Sequence, residues 1–146
     1  MEKYTYEQLL HIIAELRSDH GCPWDRAQTH ESMVKCLYDE CEEVVEAIKN
    51  KDDDNLWEDL GDVFLQVLLH AQIAAEEGRF TMEDVVDGLA KKMIRRHPHV
   101  FGNAPTASTP EEGLARWKEI KAREKEEKEK RKKNRQIPWQ TLGKRL

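Results

Sequence analysis

The sequence predicts an all-α protein, a bundle of four to five helices, and three observations carry that expectation. Nearly every periodic segment repeats its apolar residues at spacings of three and four. No stretch alternates as a half-buried strand does, and the breaks between segments carry residues that start and stop helices. Tyr6, Leu9, Leu10, Ile13 and Leu16 mark a first helix, which stops before the loop from Asp19 to Pro23. A second opens near Thr29 and carries Val34, Leu37, Tyr38, Cys41, Val44, Val45 and Ile48 as one apolar stripe. It ends at the polar run from Asn50 to Asn55.

The third helix is expected from Asp54 to Glu77, closing at Gly78 as the residue just past its end. From Val63 onward it is apolar on nearly all sides, which predicts burial on every side. A bundle this small has difficulty supplying that cover, so we expect a homodimer or a dimer of dimers with the second and third helices central. Thr81 with Asp84 begins a fourth helix through Val85, Val86, Leu89 and Met93, which must end before Pro98. A loop from His97 to Ser108 follows, in which the two histidines around Pro98 fix the turn. Thr109, Pro110 and Glu112 combine a capping threonine, a proline at the first helical position and a glutamate at the third. The fifth helix runs from there into a charged tail. We expect one domain over residues 1–125 and a helical tail over 126–146, ending on an apolar anchor at Ile137, Pro138 and Trp139.

Composition narrows the function. The 146 residues are 38% hydrophobic and 36% charged, too apolar for wholesale disorder. The longest apolar stretch, Val63 to Ala75, is interrupted by Gln66, His70 and Gln72 and falls short of the roughly 20 residues a spanning helix needs. Neither a membrane protein nor a secretory signal is expected. Three cysteines without a C-x-x-C pair argue against a disulfide framework and a zinc knuckle, which suggests a reduced, cytoplasmic protein. The tail from Lys121 to Arg135 is basic, but Glu124, Glu126, Glu127 and Glu129 dilute it and no aromatics interleave. It reads as a solvated helix rather than a nucleic-acid surface.

The net charge of -5 is unevenly spread. Eight of the carboxylates stand at Asp39, Glu40, Glu42, Glu43, Glu46, Glu58, Asp59 and Asp62, with Asp52 to Asp54 between them and only Lys49 and Lys51 in opposition. On the second helix Glu40 and Glu43 are neighbours on one flank of the apolar stripe. On the third, Asp59, Asp62 and Gln66 form a narrow polar stripe on a helix otherwise built for burial. Four carboxylates that face each other across one helix pair need a cation, because buried carboxylates repel and resist ionisation. All-oxygen ligation selects a hard ion, Mg²⁺ or Mn²⁺, which keeps waters and meets phosphates. Acidic residues near helix ends also serve solubility and the helix dipole, and that explains Glu42, Glu46 and Asp52 to Asp54.

Five ordered stretches then resemble the MazG family of nucleoside triphosphate pyrophosphohydrolases. They are Gly21 to Asp25 with Gln28 and Thr29, Asp39 to Glu43, Asp59 to Asp62, Arg95 to Phe101, and Arg116 to Lys121. The likeness covers roughly residues 6 to 125. It implies an all-α, Mg²⁺-dependent enzyme, dimeric or larger, that splits a nucleoside triphosphate into monophosphate and pyrophosphate by attack of a metal-activated water on the α-phosphorus. The family motif E-E-x-x-E followed by E-x-x-D falls on Asp39-Glu40-x-x-Glu43 and Asp59-x-x-Asp62, so the resemblance implies Glu40, Glu43, Asp59 and Asp62 as metal ligands. Asp39 and Asp59 replace glutamates, and Glu58 beside the shorter Asp59 takes a share. Glu42-Glu43-x-x-Glu46 spells the motif literally, but that register spoils the apolar stripe that follows. The resemblance places Lys92 and Arg96 on the triphosphate and Trp117 near the base; Gln28 and Gln66 complete the expected substrate set. Other readings consistent with the sequence are a hydrolase of modified deoxynucleotides or phosphoribosyl-ATP, and a weakly active interaction module.

Overall fold

The computed structural model describes residues 2–134; the apolar anchor at Ile137, Pro138 and Trp139 lies outside them. Every regular element among the described residues is helical. They are α1 (Tyr6–Leu16), α2 (Pro23–Arg26), a 3₁₀ turn (Glu31–Met33), α3 (Val34–Lys49), α4 (Asp53–Glu76), α5 (Met82–Arg96), α6 (Pro98–Phe101) and α7 (Pro110–Asn134). No helix among them is long and apolar enough to cross a membrane. The five long helices fall where the periodicity placed them, except that α3 opens at Val34 behind the 3₁₀ turn rather than near Thr29. The two short ones, α2 and α6, each begin on a proline inside what reads as loop, a position where the missing N–H costs nothing.

Caps explain the boundaries. Thr5 and Gln8 close a capping box on α1, the Thr5 hydroxyl accepting from the Gln8 N–H while the Gln8 side chain accepts from the Thr5 N–H. Thr81 and Asp84 exchange the same pair of bonds ahead of α5. At α7 the Thr109 hydroxyl accepts from the Glu112 N–H, and Glu112 reaches one residue further back than expected, to the N–H and hydroxyl of Ser108. Gly78 follows the α4 C-cap Glu77 at φ +69°, the left-handed conformation that ends helices.

The chain divides into two compact units, Met1–Val86 and Asp87–Leu146, with the division inside α5. In the first unit α3 and α4 pack along each other as a hairpin, and α1 packs on α4. Its core is Ile13, Met33, Leu68, Leu69 and Ile73, with Leu9, Leu10, Leu16, Phe64, Leu65 and Met82 around it. This core covers only the C-terminal half of α4. Within the stretch from Val63 onward, Val67 is still 38% exposed, so the all-round burial expected there is not reached within one chain, and toward the helix start Trp57 is 70% exposed and Leu60 50%. In the second unit His97 pairs through Nδ1 with the Met93 carbonyl, a local role in the turn.

Candidate metal centre

Lys51 turns the chain between α3 and α4, at φ 53°, and Asp52 caps α4 by accepting from the Asn55 N–H. In an antiparallel hairpin, residues equidistant from the turn stand at one level. Glu40 lies 11 residues before Lys51 and Asp62 lies 11 after it; Glu43 and Asp59 lie 8 before and 8 after. The four expected ligands are therefore two facing rungs of one hairpin.

The structure brings three of them to one point. Carboxylate oxygens of Glu40, Glu43 and Asp62 all lie within 4.8 Å of one another. Glu40 and Asp62 are half-buried and Glu43 is exposed. Asp59 stands outside this trio and lines a neighbouring cleft of about 260 Å³ with Glu43, Glu46, Asp52 and Asn55. Glu58 is exposed and belongs to neither. Burial, followed by the charges of Asp62, Glu43, Asp59 and Asp39, holds the Glu40 carboxyl above the usual carboxylate range. Three crowded oxygen donors, one of them resisting ionisation because of burial and the charges around it, suit a hard divalent cation that supplies the missing positive charge. Asp39 is turned away into an i, i+4 ion pair with Lys35 at 2.7 Å.

The remaining candidates sit in two places. One turn beyond Asp62 on α4, Gln66 is 5% exposed and its Oε1 has no partner among the described residues. Gln28 spends its side chain internally, donating to the Trp24 carbonyl at 2.9 Å and accepting from the Ser32 hydroxyl at 2.9 Å. In the second unit, Lys92 is half-buried one turn before Arg96 on α5. The Arg96 guanidinium lies over the Trp117 ring at 5.2 Å, and Lys121 Nζ approaches the same ring at 4.7 Å.

The sequence reading missed the residue that organises this group. Glu124 accepts from Arg96 Nε and Nη2 at 3.0 and 2.9 Å through one oxygen and from Arg95 Nε at 2.5 Å through the other. The Arg95 and Arg96 bonds hold its carboxyl below the usual range, although burial opposes them. Its side chain is 12% exposed on a helix that is otherwise largely solvated. A glutamate in a charged tail gives no periodic signal that it turns inward.

Comparison with known proteins places this arrangement. Residues 28–101 match the MazG nucleotide pyrophosphohydrolase domain. The chain belongs to the MazG nucleotide pyrophosphohydrolase family. Over 123 residues it is 54% identical to the nucleoside triphosphate pyrophosphohydrolase/pyrophosphatase MazG of Thermotoga maritima, covering 84% of this chain and 46% of that protein. It is 42% identical over the same length to the nucleoside triphosphate pyrophosphohydrolase of Escherichia coli K12, with the same coverage. The chain spans about half the length of these curated relatives. The crystal structure of a MazG-related protein from Thermotoga maritima superposes with a TM-score of 0.64 at 35% identity, covering 80% of this chain and 98% of that one. Both MazG carboxylate pairs, on α3 and α4, fall inside the matched residues.

Proposed function

We propose that this MazG domain is a Mg²⁺-dependent pyrophosphohydrolase that cleaves nucleoside triphosphates between the α- and β-phosphates, releasing monophosphate and pyrophosphate, in the upkeep of the nucleotide pool. The convergence of Glu40, Glu43 and Asp62 carries the reading, because three carboxylates held this close are costly unless a cation joins them. The names of the MazG relatives support the reaction.

Glu40, Glu43 and Asp62 would hold the ion, and Asp59, in the adjoining cleft, is the fourth carboxylate of the set. A divalent ion there neutralises charge on the phosphates and makes a bound water more acidic. Glu43, the exposed member of the trio, takes the proton of the attacking water and returns it to solvent. Within the second unit, Lys92 and Arg96 meet phosphate, Arg96 offering the donors that Glu124 leaves free, and Trp117 takes part in holding the base. Within the first unit, Gln66 offers a buried amide oxygen without a partner among the described residues.

The domain acts as a homodimer or larger assembly. Tyr38, Cys41, Val45 and Ile48 form an exposed apolar stripe on α3, and Trp57, Leu60 and Val67 form another on α4. Such a surface supports association with a second copy.

The deciding experiment measures pyrophosphate release from eight ribo- and deoxynucleoside triphosphates, with and without Mg²⁺, for the wild type and Glu43→Gln. Metal-dependent release that falls at least about 100-fold in the variant is expected, since loss of even an outer partner of a metal ligand costs about 10–100-fold. No release from folded, assembled protein would overturn the reading.

A further inference from the structure

His30 sits in the segment between α2 and the 3₁₀ turn, and His70 lies in the middle of α4. Their Nδ1 atoms are 2.6 Å apart. The ring planes differ by 5° and the centroids are 5.0 Å apart, which is the geometry of two coplanar rings joined edge to edge along the N–N line rather than stacked face on face. A bond this short needs one proton between the two nitrogens. Arg79, in the turn after α4, stands 2.5 Å from His30 Nε2 through Nη2.

A guanidinium only donates, which decides every proton in the chain. Arg79 donates to His30 Nε2, so that nitrogen is bare and the neutral His30 ring carries its proton on Nδ1. His30 Nδ1–H then donates to His70 Nδ1, which leaves the His70 proton on Nε2, a buried atom without a partner among the described residues. All four ring nitrogens are committed. One more proton has two places to go, and each breaks a bond: on His30 Nε2 it faces Arg79, and on His70 Nδ1 it faces the His30 proton.

We propose that Arg79, His30 and His70 form a proton-sensitive latch that fastens the segment Ala27 to Ser32 onto α4 when both rings are neutral and releases it when the pair takes a proton. The surroundings oppose that proton while the latch is closed. The same cleft is lined by Arg17 from the end of α1, Arg26 and Glu31 from the segment, and Glu77 and Arg79 from the end of α4, with Glu76 on Arg17. Two of the three acids are already answered, Glu76 by Arg17 at 2.8 Å and Glu77 by Arg79 at 2.7 Å, while Glu31 stands exposed to solvent, which screens its charge. Burial, then His30, lowers the readiness of His70 to protonate. A released, solvated imidazole titrates near its ordinary value of about 6.5, whereas burial keeps His70 neutral while the latch is closed, so the latch holds above that pH and weakens as pH falls below it.

The latch stands on the geometry of the first unit and does not depend on the hydrolase reading. It is tested on the full chain without nucleotide. Long-range ¹H–¹⁵N spectra of the histidine rings at pH 7.5 should show His30 protonated on Nδ1 and His70 on Nε2, with nitrogen–nitrogen coupling across the shared proton. Either ring in the opposite tautomer would overturn the assignment. Amide exchange over residues 27–32, corrected for its intrinsic pH dependence, should lose protection about fivefold to tenfold between pH 7.5 and 5.5. Arg79→Met separates the latch from general acid loosening. With the donor gone, the segment keeps only the His30–His70 bond, so the variant's protection at pH 7.5 should already lie near the wild type's at pH 5.5 and should change less between the two. Unchanged protection in the wild type, or an equal loss in Arg79→Met, would overturn the proposal.

Discussion

Gly21 has no room for a methyl group. A Cβ built there lies 2.2 Å from the Glu15 carbonyl oxygen and 2.3 Å from that of Leu16, both backbone atoms that cannot swing aside. The close approach lets the next residue, Cys22, donate to the Leu16 carbonyl at 2.8 Å and folds the loop back over the end of α1. Gly21→Ala should therefore destabilise the protein by about 3 kcal/mol, read as a lower urea midpoint at unchanged slope. The loop itself was legible from its glycine and proline, but its fastening was not. Arg17, only 8% exposed, forks onto Glu76 and donates through Nη1 to the Asp25 and Gln28 carbonyls at 2.6 and 3.1 Å. An arginine at the end of an amphipathic helix reads as solvated, and partners 59 residues away leave no local pattern.

At the scale of the element, α3 and α4 form a hairpin whose turn sets the site. The period of three and four, the cap at Asp52 and the stop at Gly78 made both helices legible, and the polar stripe on α4 singled out Asp62 and Gln66. Equal distances of Glu40 and Asp62 from Lys51 were also in the sequence, and they become a pairing rule once the turn is known to be tight. What remained illegible is that Asp59 stands outside the trio, in the neighbouring cleft, because spacing sets its level on the hairpin but not where its short side chain ends. The crowding has a thermodynamic signature. Asp62→Asn removes a charge that holds the Glu40 carboxyl up, so at pH 7.5 and without metal the variant should melt about 2–4 °C higher than the wild type, the shift that 1 kcal/mol produces at this length. Its melting temperature should rise less with added Mg²⁺, because a weaker site gains less from mass action. A wild type that Mg²⁺ fails to stabilise would count against the metal centre.

Across the whole molecule, the conflict lies between a helix written for burial and the cover one chain provides. Ala71, Ile73 and Ala74 lie in the closed interior, yet Trp57, Leu60 and Val67 on the same helix face outward, as do Tyr38, Val45 and Ile48 on its hairpin partner. Leaving large apolar side chains in water forgoes about 1.5–3 kcal/mol each, and so many on two packed helices are more than the scattered exposure a protein surface ordinarily carries. A second copy of the same hairpin would meet the need with a self-complementary interface, in which each contact occurs twice. Cys41, exposed on that stripe, adjoins Glu40 in sequence, so a partner seated on the stripe would lie beside the carboxylates and link assembly to the site. Trp57 is the most exposed aromatic on the α4 stripe, and a charge there should cost association far more than folding, since one chain leaves it in solvent. Trp57→Glu should weaken self-association at least about 30-fold, the effect of removing a 2 kcal/mol anchor, while its helical circular dichroism stays that of the wild type. Sedimentation velocity over a concentration series reads the difference directly: a wild type that stays monomeric, or a variant that associates as tightly, would remove this face from the interface.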